Sequence, residues 1–237
     1  IVQSLDDNFN VRRVERFMVQ IMEENISSVL VLNKADLDFD RQSVEEQIKH
    51  ISSQIPVFFT SIHQLETIVR LRKSISEGET VVFVGSSGVG KSSLVNALCE
   101  KPVLLTSDIS LSTGKGRHTS TRREMVLMDS SGVLIDTPGV REFGLAIDNP
   151  DSLAEVLEIS DYAELCRFKD CKHINEPGCA VIEAVNSGAL DSKVYASYLK
   201  LRREAWHFSA SEHEKRKKEK SFTKLVEEVK NRKDASR

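Results

Sequence analysis

A glycine-rich segment near the middle of the chain carries the clearest chemistry in this sequence. Positions 85–92 fit the pattern GxxxxGK(S/T), and they read Gly85, Ser86, Ser87, Gly88, Val89, Gly90, Lys91 and Ser92. In such a loop the glycines let backbone N–H groups turn toward phosphate oxygens. The lysine reaches the β- and γ-phosphates, and the final hydroxyl can bind Mg²⁺. The pattern predicts a nucleoside triphosphate site but leaves the identity of the base open.

A second motif bears on the base. Residues 33–36 read NKAD, fit the pattern NKxD and follow the apolar run at 29–32. The Asp36 carboxylate can accept hydrogen bonds from the ring N–H and the exocyclic amino group of guanine, a pair of donors that adenine lacks. Lys34 would pack its stem over the base, and Asn33 would link this loop to the phosphate loop. Four residues alone are also compatible with an ordinary loop, and the phosphate loop in the same chain favours the guanine interpretation.

The order of these motifs is unusual. GTPases normally carry the phosphate loop first, whereas here NKxD precedes it by about fifty residues. The segment 60–62 is the candidate for a second loop contacting the base, while Thr119 and the DxxG segment 136–139 follow the phosphate loop. Asp136 would hold Mg²⁺ through a water molecule, and the Gly139 N–H would sense the γ-phosphate. We therefore predict a circularly permuted GTPase.

The motif order also suggests candidate catalytic residues. Residues 106–123 lack periodicity and are predicted to form a loop. Thr119 in this loop is the best candidate for the threonine that completes the Mg²⁺ shell, and Ser120 and Thr121 are the alternatives. Lys91 is expected to contribute to catalysis as well as to binding, because its charge faces the transferring phosphoryl group.

The residue after the DxxG segment is unexpected. Val140 stands where many GTPases have a glutamine that orients the attacking water. Because valine cannot form a hydrogen bond to water, we expect slow unaided hydrolysis. His118 is the nearest polar candidate by sequence for positioning that water, and the alternative is a solvated loop histidine.

A cluster of cysteines indicates a metal site. Three of the four cysteines lie within fourteen residues of one another and are joined by a histidine, giving Cys166, Cys171, His173 and Cys179. Three thiolates and one imidazole form the closed tetrahedral set of a structural zinc site. An iron–sulfur site and free thiols are the alternatives. No secretory signal opens the chain, so we expect a reducing, cytoplasmic setting and one zinc ion rather than disulfides.

Apolar runs and helical periodicity define the elements that must position these residues. Apolar runs predict strands at 29–32, 56–60, 80–84, 124–128 and 133–135, and helical patterns alternate with them at 8–24, 41–53, 65–75 and 92–100. This alternation predicts an α/β fold with a mostly parallel sheet and helices on both faces. Asn149 and Pro150 then start a helix. We predict a GTPase domain over 1–147 and a small helical zinc-binding domain with a basic tail over 148–237.

The composition excludes some classes of protein. The chain of 237 residues is 40% hydrophobic and 29% charged, and it lacks the run of roughly 20 apolar residues that a membrane span needs. Its net charge of −3 is uneven, because residues 211–237 hold 10 Lys and Arg against 6 Asp and Glu. This basic tail is either a solvated helical face or a contact for RNA phosphates. The chain starts at Ile1 without a methionine, and we expect it to lack an N-terminal part.

Over residues 1–210 the chain closely resembles the circularly permuted, ribosome-small-subunit-dependent GTPases of the RsgA/YjeQ family. The resemblance lies in the order of five motifs, which read NKAD, GSSGVGKSS, GRHTST, DTPGVREFGL and CRFKDCKHINEPGCAV. The resemblance implies an N-terminal OB-fold, which we expect to be missing from this chain, followed by a permuted GTPase domain and a zinc domain. It also implies ribosome-stimulated hydrolysis of GTP to GDP and phosphate during late maturation of the small ribosomal subunit. By position it assigns Ser61 to the second base-contacting loop and extends the phosphate and Mg²⁺ contacts to Ser93.

The partners expected on this basis are GTP or GDP, the small ribosomal subunit and its rRNA. We expect a monomer without a membrane partner. One alternative is a P-loop ATPase or kinase, and another is a zinc-dependent RNA-binding module with a degenerate nucleotide site. The intact Lys91, Ser92 and Asp136 argue against the second alternative.

Overall fold

The computed structural model describes residues 1–104, 123–129, 132–139 and 150–209 of the chain. Its strands are β1 (Val2–Ser4), β2 (Leu30–Asn33), β3 (Val57–Thr60), β4 (Thr80–Phe83), β5 (Glu124–Leu127) and β6 (Val133–Asp136). Its helices are α1 (Val11–Glu23), α2 (Arg41–Gln47), α3 (Lys49–Ser52), α4 (Leu65–Lys73), α5 (Lys91–Leu98), α6 (Pro150–Val156), α7 (Ser160–Ala163), α8 (Ala180–Ser187) and α9 (Ser192–Ser209). The predicted alternation of strands and helices is therefore present.

The strands form two three-stranded sheets that meet along one edge. In the first sheet, β2 lies between β1 and β3, and all three strands are parallel. In the second, β6 lies between a parallel β4 and an antiparallel β5. The Val2 N–H donates to the Val84 carbonyl at 2.7 Å, which joins β1 to the end of β4. The motifs follow the carboxyl ends of β2, β4 and β6, where ligands bind in parallel α/β sheets.

Helices cover both faces of the first sheet. Successive residues of a strand point to opposite faces, and in β2 they enter two different cores. Leu30 and Leu32 pack with α1, whereas Val31 packs with residues of α4 and α5. The apolar strand thus reflects burial on both sides, as expected for a parallel sheet. The α/β prediction with helices on both faces is confirmed.

Two elements differ from the sequence prediction. Strand β1 was not predicted, because only its first residue is apolar; Gln3 and Ser4 are polar yet fully buried. The single helix predicted over 41–53 is two helices, α2 and α3. They are separated at Ile48, whose φ of −100° and ψ of 8° leave the helical region while its side chain stays in the core.

The C-terminal helices share a core with the first sheet. Leu153 of α6 and Leu157 just after it belong to the same buried cluster as Phe17 and Met18 of α1. Leu201 of α9 is part of this cluster as well. The predicted domain boundary near residue 147 lies outside the described residues and stays a prediction. None of the helices in the described ranges is long and apolar enough to span a membrane.

A buried polar network connects α1 to α9. The Glu15 side chain is 1% exposed, and its Oε1 lies 3.0 Å from His50 Nε2. Its Oε2 accepts a hydrogen bond from Ser197 Oγ at 2.8 Å, and Arg12 Nε donates to the same hydroxyl at 3.3 Å. Both carboxylate oxygens of Glu15 therefore have a partner, one in His50 of α3 and the other in Ser197 of α9.

Replacing Glu15 by alanine is expected to lower the free energy of unfolding by about 3 kcal/mol, because it leaves the buried His50 without this partner and the Ser197 hydroxyl without an acceptor. Urea unfolding followed by circular dichroism measures this change. Glu46→Ala, on the exposed face of α2, is the matched control and is expected to stay within about 0.5 kcal/mol. Equal stability of the two variants would contradict a structural role for the network.

Candidate nucleotide site and metal centre

The phosphate loop connects β4 to the first turn of α5. Gly90 is the residue before the helix and has a φ of 94°, a left-handed conformation that L side chains rarely adopt. A Cβ at this position would also collide with the side-chain amide of Asn33. Glycine is thus required here for two reasons, its backbone angle and the close approach of the NKxD loop. The helix start at Lys91 places the N-terminal N–H groups of α5 at this loop, a geometry that favours anions.

Lys91 is held inside the phosphate loop. Its side chain is 6% exposed, and its Nζ donates to the carbonyls of Gly85 and Ser86, both at 3.0 Å. Burial lowers the pKa of Lys91, and the neighbouring Asp136 carboxylate opposes that shift. The ammonium group is therefore fixed inside the loop that is predicted to bind phosphate.

Asp136 and Ser92 form an oxygen cluster at the end of β6. Ser92 Oγ donates to Asp136 Oδ2 at 2.5 Å. Asp136 Oδ1 is buried and has no hydrogen-bond partner among the described residues. A carboxylate oxygen left without a partner beside a hydroxyl is the donor set that Mg²⁺ prefers. These two residues therefore fit a magnesium ion, as the sequence predicts.

The DxxG segment packs directly on the phosphate loop. Thr137 Oγ1 donates to the Phe83 carbonyl at 2.6 Å, which ties the start of the segment to the end of β4. Gly139 lies so close to Ser87 that a Cβ there would clash with the Ser87 backbone. The Gly139 backbone is thereby brought against the loop that would hold a γ-phosphate.

The NKxD loop is joined to both the phosphate loop and β3. Asn33 Nδ2 donates to the Val89 carbonyl at 2.9 Å, and Asn33 Oδ1 accepts from Thr60 Oγ1 at 3.2 Å. The exposed Asp36 carboxylate accepts from Ser61 Oγ at 2.5 Å, and this hydrogen bond lowers the pKa of Asp36. Ser61 is thus a neighbour of Asp36, so the two loops that are predicted to contact the base meet.

The structure adds two residues that the sequence motifs did not indicate. Asp6, just after β1, forms an ion pair of 2.8 Å with Lys34 Nζ and accepts from Ser4 Oγ at 2.7 Å. Burial acts to raise the pKa of Asp6, but the hydrogen bonds from Lys34 and Ser4 outweigh it and the pKa is lowered. Arg13 of α1 contacts Ser86 of the phosphate loop. Neither residue belongs to a short motif, so no local pattern signals them.

Several predicted residues can be placed only in part. Gly88 lies in the phosphate loop with a φ of 82°, and Ser93 follows Ser92 half-buried on α5. His118, Thr119 and Val140 lie outside the described residues, so their predicted roles stay predictions. The same holds for the basic tail.

The predicted zinc ligands converge on one point. Cys166, Cys171, His173 and Cys179 place their ligand atoms within 4.8 Å of one another. His173 Nδ1 lies 3.5 Å from the sulfurs of Cys166 and Cys179, and those two sulfurs are 3.9 Å apart. Tetrahedral zinc bound at ordinary lengths gives separations of about 3.6 Å for S···N and about 3.8 Å for S···S. The donor set and its spacing therefore fit one zinc ion.

The surrounding groups fix the ligand loop. The Glu176 carboxylate accepts backbone N–H groups from Ile174, Asn175 and Lys172, and these bonds lower its pKa to about 2. Tyr195 Oη of α9 donates to the His173 carbonyl at 2.6 Å. The loop is thus held both internally and by the C-terminal helix.

Comparison with known proteins agrees with this geometry. The sequence model of the RsgA GTPase family matches residues 1–146. The small ribosomal subunit biogenesis GTPase RsgA 1 of Bacteroides thetaiotaomicron is 82% identical over 98% of this chain, and RsgA of Leptospira interrogans is 37% identical over 96%. The chain spans 66% and 65% of the lengths of these two relatives, just under two thirds.

Solved structures give the same result. YjeQ from Thermotoga maritima superposes with a TM-score of 0.65 at 28% identity, covering 89% of this chain and 70% of that one. YloQ, described as a circularly permuted GTPase, superposes with a TM-score of 0.65 at 25% identity, covering 89% and 68%. These neighbours confirm the circularly permuted fold that the motif order predicts. With the family match over more than half its length, the chain belongs to the RsgA GTPase family.

Proposed function

We propose that the chain binds GTP and hydrolyses it to GDP and phosphate, acting as a switch on the small ribosomal subunit. The observation that carries this proposal is the meeting of three loops. The phosphate loop holds Lys91, the end of β6 holds Asp136 beside Ser92, and the NKxD loop holds Asp36 beside Ser61. A phosphate cradle, a metal-binding pair and a carboxylate suited to guanine are the parts that a GTPase needs.

Each of these groups has a distinct task in the proposed reaction. The Asp36 carboxylate accepts the two guanine donors, with Ser61 fixing its orientation. Lys91 donates to the phosphate oxygens and stabilises the charge that develops there. Ser92 would bind Mg²⁺ directly and Asp136 would hold it through a water molecule, and the ion when bound neutralises phosphate charge. We propose Thr119 and His118 as further catalytic residues, completing the metal shell and positioning water respectively.

The names of the relatives support the proposed partner. Both are small ribosomal subunit biogenesis GTPases, so we propose the small subunit and its rRNA as the macromolecular partner in late subunit maturation. The basic tail is a candidate contact for rRNA phosphates. We further propose a cytoplasmic monomer with a GTPase domain over 1–147, a domain over 148–237 stabilised by one zinc ion, and no membrane partner.

The GTP hydrolysis rate with and without purified small subunits tests the proposal. We expect small subunits to accelerate hydrolysis roughly tenfold or more, because they would complete a site in which Val140 cannot orient water. Large subunits and ATP are the controls, and Lys91→Ala is expected to abolish the stimulated activity. Equal hydrolysis of ATP would indicate an ATPase instead. A complete lack of GTP hydrolysis with small subunits would indicate an RNA-binding module.

A further inference from the structure

Helix α1 directs a cation at the phosphate loop. Arg13 Nη1 lies 3.1 Å from Ser86 Oγ, 3.3 Å from Gln3 Oε1 and 3.2 Å from the Asn8 carbonyl. The Asn8 amide also approaches Ser86 Oγ at 3.4 Å. One guanidinium nitrogen thus links the end of β1 to the first half of the phosphate loop.

The partners of this guanidinium are themselves fixed. Ser86 is 4% exposed and Gln3 is 0% exposed, so neither side chain can move freely into solvent. Ser86 is held from two sides, since Arg13 binds its hydroxyl and Lys91 Nζ binds its carbonyl. A substitution of Arg13 therefore affects Ser86, a residue that Lys91 also contacts.

The charge of Arg13 is not neutralised locally. Its hydrogen-bond partners are neutral, and no carboxylate lies within ion-pair distance of it among the described residues. The neighbouring Arg16 differs, because it pairs with Glu204 at 2.7 Å. A half-buried cation without a carboxylate, beside a loop built for anions, adds positive potential where a phosphate group would lie.

Neighbouring residues of α1 anchor the helix to α9. Arg12 and Glu15 both bind Ser197, and Arg16 pairs with Glu204. Without Arg12, Glu15 and Arg16 would still hold α1 against α9. Of these described residues of α1, only Arg13 contacts the phosphate loop. The helix therefore offers a natural comparison between adjacent arginines with different partners.

We propose that Arg13 is a positioning residue of the phosphate loop, holding Ser86 so that the loop retains a bound guanine nucleotide. This inference rests on the proposed GTPase function and assigns it one more residue. Arg13 acts through Ser86 rather than through contact with the reacting atoms. Its loss is therefore expected to affect nucleotide retention and KM for GTP more than kcat.

The first test is the dissociation rate of fluorescent methylanthraniloyl-GDP from the full chain. We expect Arg13→Ala to accelerate release roughly tenfold, in line with loss of hydrogen bonds from a charged group. Arg13→Lys keeps the charge and is expected to restore part of the retention. Arg12→Ala removes the adjacent arginine and is expected to release nucleotide like the parent chain. Equal rates for Arg13→Ala and the parent, or equal acceleration by Arg12→Ala, would overturn the proposal.

A second measurement separates this inference from the proposed function. Amide hydrogen exchange over residues 85–91 without nucleotide reports the order of the phosphate loop itself. We expect faster exchange there in Arg13→Ala than in Arg12→Ala. If the parent chain bound no guanine nucleotide, the proposed function would fail, while the exchange data would still decide whether Arg13 holds the loop. Unchanged exchange in Arg13→Ala would refute that role.

Discussion

Replacing Asp36 by asparagine is expected to weaken GTP binding about 100-fold or more and to improve binding of xanthosine triphosphate. The Asp36 carboxylate offers only acceptors, which match the two donors of guanine. In the variant, Ser61 Oγ would still donate to the remaining oxygen, which turns the new amide nitrogen toward the base. That nitrogen faces a donor on guanine but an acceptor, the carbonyl at C2, on xanthine.

Competition titrations with the two triphosphates against a fluorescent guanine nucleotide measure the change in preference. Asp38→Asn is the matched control, because Asp38 lies two residues farther on, is exposed and loses the same charge. We expect it to leave both affinities unchanged. If Asp36→Asn bound GTP as tightly as the parent chain, the base would be recognised elsewhere. A shift toward ATP instead of xanthosine triphosphate would also contradict the assignment.

The parts of the site that could be predicted from the sequence are those in which function dictates local spacing. A phosphate loop needs glycines, a lysine and a hydroxyl within eight positions, so residues 85–92 can be recognised from the sequence alone. The NKxD and DxxG loops follow apolar strands, which locate them at the carboxyl ends of β2 and β6. The predicted zinc ligands are likewise close in sequence, and the structure brings all four together.

The missed residues act across long sequence separations. Arg13 reaches Ser86 because β1 meets the end of β4. Asp6 reaches Lys34 because β1 pairs with β2. That neighbourhood depends on β1, and its burial could not be predicted because Gln3 and Ser4 are polar. Ser4 Oγ donates to Asp6 and Gln3 Oε1 accepts from Arg13, whereas the buried Gln3 Nε2 has no hydrogen-bond partner among the described residues. Such pairing is a property of the folded chain and leaves no periodic signal.

The same reasoning explains why domain packing was not foreseen. Helical periodicity shows that α1 and the C-terminal helices each have an apolar face, but it does not tell which faces meet. The structure places Met18 of α1 and Leu157 in one core. The structure also buries the charged Glu15 of α1 against Ser197 of α9. A hydrophobic pattern cannot predict this contact, because it treats a charged residue as exposed.

Replacing Cys179 by serine is expected to abolish zinc binding and to lower the free energy of unfolding by at least about 3 kcal/mol. Structural zinc contributes about 10–16 kcal/mol of binding free energy in small zinc-finger peptides, and that energy is folding energy when the apo site is unformed. Cys179 is buried in the core shared with α1, so its loss also places a hydroxyl in an apolar cluster. The zinc content of purified protein and its urea unfolding midpoint report the two effects.

Cys99→Ser provides the matched control. Cys99 is also buried, but it packs in the other core and is not among the four clustered ligands. We expect this variant to keep one zinc per chain and to lose only the smaller free energy of placing a hydroxyl in a core, about 1–3 kcal/mol. Equal zinc content in the Cys99 and Cys179 variants would refute the assignment of the cluster as the zinc site.

The shape of the unfolding curve carries a further consequence. Because the core around Cys179 includes Phe17 and Met18 of α1, loss of zinc is expected to destabilise the first sheet together with the C-terminal helices. The parent chain should then unfold in one transition that moves as a whole in Cys179→Ser. Two separate transitions, with only one of them sensitive to zinc, would mean that the shared core does not make the two regions cooperative.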